Sequence, residues 1–586
     1  MTALSWDGSA PPSGLVETSR TVEAGGLVVR VTAVGSEVPP EVRVVQDAGV
    51  VVVEADGERL RVEWQLPCTG AAAYWTPNTN SRWLPPSWAR PRESSVAKGA
   101  PVGSLVGAGD RALCTFALGE LVRPVTIGEG AVEETGRFAW WAEHDGPTLS
   151  LRLDLSGRHF ADTLADVSAW WEASLPARPP VPDLAYLPVF CTWYALHLAM
   201  THTDVERLAA LAAPLGFRSL IVDDGWQTDE RTRSYATTGD WQPAPEAFPD
   251  FGAHVKRIQQ LGLAYLLWHA IPFAGDRSAA AQRLAGHTLA HLPQLETHVL
   301  DPRSPGVRAH LVDRLAAAVE QHGVDGLKID FIDTFARPAD TASPEADRPT
   351  VAEGVSELLA ALDIRLRATA PQVLVEHRQD YVSAGLWPYA TMVRAADCPH
   401  NVVENRVRTV DLRLTAGPLA VHADPLTWHP DESPEQIAVL LQSVLFSTAQ
   451  VSVDLAAQRP EQLAALRFWL GVMTEHRGLL QRGELRPNRP ELAYPLIEAR
   501  SRRQLAFGRY APLPLRADGE WDLLLVANSD PDTLVRIEFD RPPGRVELLV
   551  QDCLGGEVAR AQTPVDGTEL AVRVPTGGLL TLTRAE

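Results

Sequence analysis

The sequence predicts a multidomain chain, α/β plus all-β: a central (β/α)8 TIM barrel flanked by an N-terminal β-sandwich and a small C-terminal antiparallel β-sandwich. Three observations predict it. Apolar residues alternate with period two from the start to about residue 175, a β-then-α grammar then repeats eight times, and period two returns from about 485. With 586 residues the chain is too long for one hydrophobic core, and 45% hydrophobic against 22% charged residues lets every domain bury one.

In the first region, RLRVEWQL places Leu60, Val62, Trp64 and Leu66 on one face, TLSLRLDL alternates likewise, and ADGER and HDGPT are turn signals between such runs. These predict a β-sandwich domain over 1–176, closed by the Trp-rich helix ADTLADVSAWWEAS. The Pro-rich stretch at 177–183 reads as a stiff linker. Over 184–480 the strand candidates are LPVFCTWY, RSLIVDDGW, LAYLLWHA, DGLKIDFID, QVLVEHRQ, TMVRAADC, LAVHADPL and VSVDL. Eight is the number that closes a parallel barrel. Helices with readable ends lie between most of them: Ser304, Pro305 and Gly323 bracket one, and Ser433, Pro434 and Gln436 offer a capping box to another. RQLAFGRY, WDLLLVANS, LVRIEFD, RVELLVQD and LLTLTRA then form the C-terminal β-sandwich, 485–586.

Composition narrows the function. A net charge of -21 repels phosphate backbones and anionic membrane surfaces, so neither nucleic acid nor membrane is an expected partner. The five cysteines are scattered without CxxC or CxxH spacing, the first twenty residues carry no basic head with an apolar run, and no stretch of about 18 residues is continuously apolar. A cytoplasmic enzyme is the expectation.

Active sites of parallel barrels lie at the C-terminal ends of the strands, which makes the candidates readable: Trp193 and Tyr194; Asp223, Asp224 and Trp226; Trp268 and His269; Lys328, Asp330 and Asp333; Glu376, His377 and Arg378; Arg394 and Asp397; His422 and Asp424. Carboxylates and indoles dominate. There is no Ser-His-Asp arrangement, Gly-rich phosphate loop or Cys cluster, and no cofactor is implied. His269, His377, His422 and Asp424 could be metal ligands, but strand one lacks the His-x-His of barrel metallohydrolases, and no metal is expected. Carboxylates that accept from vicinal hydroxyls, indoles that stack on C–H faces and a separate acid/nucleophile pair are what glycoside chemistry requires. Blander roles compete: Asp223 could cap a helix, Asp330 could merely pair with Lys328, and Asp333, Glu376 or Asp380 could supply the acid instead of Asp397.

DDGWQ, GDWQPAPEAFP, DGLKID, VRAADCP and SVLFSTAQVSVDL, in this order at strand ends, resemble the melibiase-type α-galactosidases of glycoside hydrolase family 36, including the branch similar to raffinose synthases. The resemblance covers nearly the whole chain, since that family also combines a β-sandwich, a barrel and a small β domain. It implies a retaining two-carboxylate mechanism with Asp330 as nucleophile and Asp397 as acid/base, acting on a carbohydrate with a terminal α-galactoside. It further implies that Asp223 and Asp224 hold the O4 and O6 side of the sugar, that Lys328 contacts ring hydroxyls and holds down the Asp330 pKa, that Trp268 forms an aromatic wall, and that Arg394 acts as a clamp. Trp193, Trp226, His269, Glu376, Arg378 and Asp424 complete the expected substrate-binding set, and a homo-oligomer is an expectation of the resemblance alone. Two stretches depart from the pattern: Glu376-His377-Arg378-Gln379 stands where better-known members carry a Cys-Ser-Gly-Gly-type loop, and His269 stands in place of their Glu-Pro-Glu. Rival readings are α-N-acetylgalactosaminidase, β-L-arabinopyranosidase, transglycosylase, or a catalytically inactive sugar-binding protein. The loop AYWTPNTNSRWLPPSW, with Trp75, Trp83 and Trp88, is expected at a lip of the cleft or a subunit contact.

Overall fold

The computed structural model describes residues 13–77, 81–337 and 345–584. Most of the N-terminal stretch read for a leader, and the centre of the Trp-rich loop, lie outside the described residues.

Two six-stranded antiparallel sheets form the first region. The face predicted on RLRVEWQL is the one that packs: Leu60, Val62, Trp64 and Leu66 are buried, with Trp64 stacked on Trp140 at 5.7 Å and edge-on to Phe116 at 5.2 Å. Out of phase with them, Arg61 turns the other way and pairs with Glu143 and Glu17. Helix α1 (Phe160–Ser174) follows and buries Leu164, Val167 and Trp171. At the C-terminal end a seven-stranded and a three-stranded sheet pack around Phe507, Trp521, Val526 and Leu580. This sandwich is not wholly antiparallel. Gln504–Arg509 pairs parallel with Leu523–Asn528, and Leu515–Ala517 parallel with Leu534–Phe539, because the chain crosses to the second sheet at 515–517 before returning to the first.

Between them eight parallel strands form the barrel: β1 (Val189–Cys191), β2 (Ser219–Val222), β3 (Ala264–Ala270), β4 (Gly326–Asp330), β5 (Leu374–Arg378), β6 (Met392–Arg394), β7 (Ala420–His422) and β8 (Gln450–Val451). Parallel bridges His422–Thr448 and Leu426–Val451 bring β7 and β8 together. Only Val451 of the expected eighth run lies in the strand. Beyond it Ser452 is recruited as a support, its Oγ accepting from the backbone N–H groups of Tyr194 and Ala195 at 2.9 and 3.1 Å. Helix α2 (Pro305–His322) ends on Gly323 at φ +70°, where a Cβ would be strained. Its Ser304 sits at the N-cap but does not cap with its side chain, whose Oγ lies 3.2 Å from His287 Nδ1. Helix α3 (Val402–Thr415) follows β6, and α4 (Pro434–Ser443) begins with the predicted Ser433–Gln436 capping box.

Strand period two explains why the polar residues gather. Cys191, Ile221, Leu266, Leu374, Met392 and Ala420 form one apolar cluster with Tyr186 low in the barrel. Two residues further on come Asp223 just past β2, Trp268, Glu376, Arg394 and His422, with Lys328 of β4 in register with Trp268 and Glu376, and two further still on β4 and β5 come Asp330 and Arg378. The barrel floor is apolar and its upper layers are polar.

The Trp-rich loop corrects its expectation in part. Trp75 is fully buried, its indole donating to Asp411 of α3 at 2.9 Å and to Tyr494 at 3.0 Å, and Arg82 pairs with the same Asp411. An indole N–H that finds two acceptors in other regions of the chain joins the three regions rather than forming a lip. Trp83 and Trp88 remain exposed.

Candidate active site

A cavity of about 330 Å³ opens at the C-terminal ends of the strands, lined by Trp193, Tyr194, Asp223, Asp224, Trp268, Lys328, Asp330, Arg378, Arg394, Asp397 and Asp424, together with Arg233, Tyr235, Phe331 and Pro425. That volume and polarity suit one sugar ring with its hydroxyls.

Asp330 ends β4 and is buried. Trp268 Nε1 donates to its Oδ2 at 2.9 Å, the Phe331 N–H to its Oδ1 at 2.8 Å, and Arg378 Nε bonds the same Oδ1. Phe331 at φ +66° turns the chain sharply just past the carboxylate. Burial would raise the Asp330 pKa, but Arg378 foremost, then Lys328, Arg394 and the Trp268 bond outweigh it and hold the carboxyl far below its ordinary range. The sequence assigned that task to Lys328 alone. The structure gives it chiefly to Arg378, because Lys328 points its Nζ to Asp223 Oδ2 at 2.6 Å.

Asp223 and Asp224 follow β2. The Asp223 N–H is anchored on Thr192 Oγ1 at 3.0 Å, and its Oδ1 accepts the Asp224 N–H at 2.9 Å. Gln227 Nε2 donates to Asp224 Oδ1 at 2.7 Å. Burial, with Asp223 and Asp330 adding like charge, pushes Asp224 up to about 7 despite the Gln227 bond. Neither carboxylate caps a helix, since the residues after them run into turn and loop until 251.

Across the cavity Arg394 of β6 grips two carboxylates. It donates to Asp397 Oδ1 from Nη1 and Nη2 at 3.1 and 3.0 Å and bonds Asp424 Oδ1. Asp424 also accepts from the Cys398 N–H at 2.8 Å and the Tyr194 hydroxyl at 3.2 Å. The Asp397 side chain is 66% exposed and Asp424 is buried, and their acidities diverge accordingly. Arg394 lowers Asp397, whereas burial pushes Asp424 up to about 7.

Three expected contacts do not line the cavity. His269 is out of phase with Trp268, so it faces away from the barrel axis; it is fully buried beside Trp226 and Trp241, and burial lowers its pKa to about 3. Trp226 folds behind the wall, its Nε1 donating to the Trp268 carbonyl at 2.8 Å. Glu376 faces inward but one layer below Arg378, where Gln450 Nε2 bonds it and His422 lies 3.3 Å away. For His269 and Glu376 the backing role follows from strand phase and depth, and for Trp226 from the turn that follows β2. His377 is likewise out of phase and buried against Tyr381, and Asp333, 3.7 Å from the Arg378 guanidinium, is not among the lining residues. Arg233, Tyr235, Phe331 and Pro425 were missed. All lie in loops beyond strand ends; the Tyr235 ring stacks near Trp268 at 6.4 Å and meets Phe331 at 5.4 Å. The aromatic in RTRSYATTGDW was the available signal.

Comparison with known proteins gives the same neighbourhood. The chain is 25% identical over 235 residues to Alpha-galactosidase 2 of Pediococcus pentosaceus, spanning 38% of this chain and 31% of that one. It is 26% identical over 329 residues to the A type blood alpha-D-galactosamine galactosaminidase of Flavonifractor plautii, spanning 51% and 28%. The chain thus matches about three-tenths of the length of these two curated relatives. Among solved structures, a GH36 alpha-galactosidase from Geobacillus stearothermophilus in complex with raffinose superposes with a TM-score of 0.63 at 12% identity, covering 97% of this chain and 83% of that one. An alpha-galactosidase from Thermus thermophilus in complex with p-nitrophenyl alpha-D-galactopyranoside gives 0.56 at 19%, covering 81% and 96%. At such identities the structural likeness speaks for the fold. The Melibiase family model matches residues 185–483, just over half of the chain and nearly the whole barrel, and the protein belongs to the melibiase family.

Proposed function

We propose that this protein is a retaining α-galactosidase in which Asp330 attacks the anomeric carbon and Asp397 first protonates the leaving oxygen and then activates water. The observation that carries this reading is the pairing inside one sugar-sized cavity of a buried carboxylate kept ionised by Arg378 and Lys328 with a solvent-facing carboxylate on Arg394. A nucleophile must be ionised before substrate arrives, and the Arg378 and Lys328 cations beside Asp330 favour that form.

The acid needs a proton, and Arg394 works against it. Two effects favour the proton when it is required. An aglycone that covers the exposed side of Asp397 strips water from it, and desolvation raises a carboxyl pKa. The ionised Asp330 also raises Asp397 while substrate is intact; once the glycosyl-enzyme forms that charge is gone, and Asp397 becomes the stronger acid that has lost its proton and can serve as base. Asp223 and Asp224, with Lys328 fixing the first, are suited to hold the hydroxyls of the bound sugar, and Trp268 to lie against its C–H face. Two structural relatives, one in complex with raffinose and one with an aryl α-galactoside, support a galacto-configured α-glycoside. Five unpaired cysteines support a reducing, cytoplasmic setting, and exposed Trp83 and Trp88 a contact in a homo-oligomer. Among the described residues no helix is long and apolar enough to cross a membrane.

A screen of aryl α- and β-glycosides followed by proton NMR tests the reading. Turnover is expected with the α-galactoside in preference to its gluco epimer, with the α-anomer of galactose appearing first. First appearance of the β-anomer overturns the double displacement, and no turnover of any glycoside leaves a sugar-binding protein.

A further inference from the structure

Between β3 and β4 the chain makes a three-stranded excursion, Phe273–Gly275, Thr288–Leu292 and Thr297–Leu300, with the last strand in the middle. His291 and His298 are direct cross-strand partners in its antiparallel ladder, and their rings lie 4.4 Å apart. Asp276 follows the outer strand, and its backbone N–H is fixed on the Glu296 carbonyl at 2.9 Å. His291 Nε2 lies 3.0 Å from Asp276 Oδ1 and 3.2 Å from Oδ2, and His298 Nε2 lies 3.5 Å from the same Oδ1. One ligand atom from each of the three residues falls within 4.8 Å of the others.

From this juxtaposition we infer that Asp276, His291 and His298 form a binding site for a divalent transition-metal cation of the zinc class, separate from the catalytic cavity. Bonds of about 2.0–2.1 Å in a tetrahedron put neighbouring ligand atoms about 3.3 Å apart. The two nitrogen-to-oxygen separations bracket that spacing. Two imidazole nitrogens and one carboxylate oxygen select zinc, nickel, cobalt or copper over magnesium and calcium, which prefer all-oxygen shells. The three side chains are 35–41% exposed, so a cation held there has an entry path and room for water as the remaining ligand. The three residues come from three separate strands or strand ends, so the ion would cross-link the whole excursion. That excursion in turn holds the loop over the catalytic cavity: the Tyr235 N–H donates to the Leu295 carbonyl at 3.2 Å, Gly275 N–H to Thr238 at 2.9 Å and Arg277 N–H to Ala236 at 2.9 Å. Metal binding would therefore stiffen the segment that carries Arg233 and Tyr235. The site stands whether or not the catalytic reading is right.

The test is calorimetric titration of ZnCl2 into tag-free, chelator-stripped full-length protein. The expected result is saturable binding at one ion per chain, with His291→Ala, His298→Ala and Asp276→Asn each weakening it at least about tenfold. The thermal midpoint should rise with zinc in the native protein and not in His291→Ala. A cobalt-loaded native sample supplies a readout that needs no variant: visible d–d absorption of a four-coordinate nitrogen and oxygen site is expected. Absence of saturable binding below about 100 μM zinc, undiminished binding in all three variants, or equal binding of MgCl2 would each overturn the assignment.

Discussion

The two walls of the catalytic cavity are built differently. On the wall from β2 to β5, Asp223, Lys328 and Asp330 are all buried, and two ion pairs fix the carboxylates against Lys328 and Arg378. On the β6 wall Asp397 stands on one buried arginine and keeps two-thirds of its side chain in solvent. The first arrangement suits groups that must be charged and stationary, since a dry site strengthens each interaction and costs no reorganisation. The second suits a group that must exchange a proton with water in every cycle. The difference teaches that burial together with the cations set beside each carboxylate, rather than residue type, divides the labour among five aspartates around one cavity.

The largest expected effect breaks the comparison at its two catalytic ends. Asp330→Ala removes the covalent route and should cost on the order of 10⁴-fold or more in kcat/KM on every substrate, with azide yielding at best an inverted glycosyl azide. Asp397→Ala should cost about 10²- to 10⁴-fold on a sugar aglycone and far less on formation of the glycosyl-enzyme from a dinitrophenyl galactoside, whose leaving group needs no proton. Azide should then accelerate turnover with retention. Should Asp333→Ala reproduce that pattern while Asp397→Ala does not, the β6 wall is structural and the contrast between the walls is void.

A second, smaller effect concerns stability of the buried wall. Removing Asp223 strands the Lys328 ammonium in the protein interior, and breaking a buried pair from one side typically costs about 3–5 kcal/mol. Replacing both by Asp223→Ala and Lys328→Met should recover most of that loss in a denaturant titration, while kcat/KM stays depressed in both. If the single and double variants unfold at the same denaturant concentration, the pair is not what holds this wall.

How much of this was legible in the sequence follows strand geometry. Barrel strands announce themselves as apolar runs, and any polar residue at their C-terminal ends stands out, so Asp330, Arg394 and the Asp223–Asp224 pair were readable. The depth and phase of a side chain were harder. Trp268 and His269 are adjacent, yet one lines the cavity and the other is buried away from it, and only knowing where the strand pleat begins separates them. Glu376 and Arg378 share a phase but differ by one layer, a distinction set by barrel tilt and stagger, which no local pattern records. Arg233 and Tyr235 come from a long loop placed by contacts to the excursion at 273–300, and nonlocal contacts leave no periodicity to read.

The smallest expected effect sharpens the comparison within the β6 wall itself. Asp397 and Asp424 bind the same guanidinium, yet Arg394 lowers the one while burial lifts the other to about 7 from an ordinary 3.8. The sign of the stability change follows. Between about pH 4 and 7 the unfolded chain has released the Asp424 proton and the native state still holds it, so the native state binds more protons and unfolding free energy falls as pH rises through that window. The slope from this group is at most about 1.4 kcal/mol per pH unit. Asp224, lifted by burial to the same value, adds a slope of the same sign. Asp424→Asn cannot titrate, so whatever its absolute stability, its midpoint in urea should decline less steeply from pH 5 to 7 than that of the native protein. Asp397→Asn should flatten the slope only in part, because Asp397 itself is already ionised in both states there, yet its charge adds to the lift that burial gives Asp424. Equal slopes in the native protein and Asp424→Asn would mean that Arg394 keeps both carboxylates ionised, and that burial does not separate the twins.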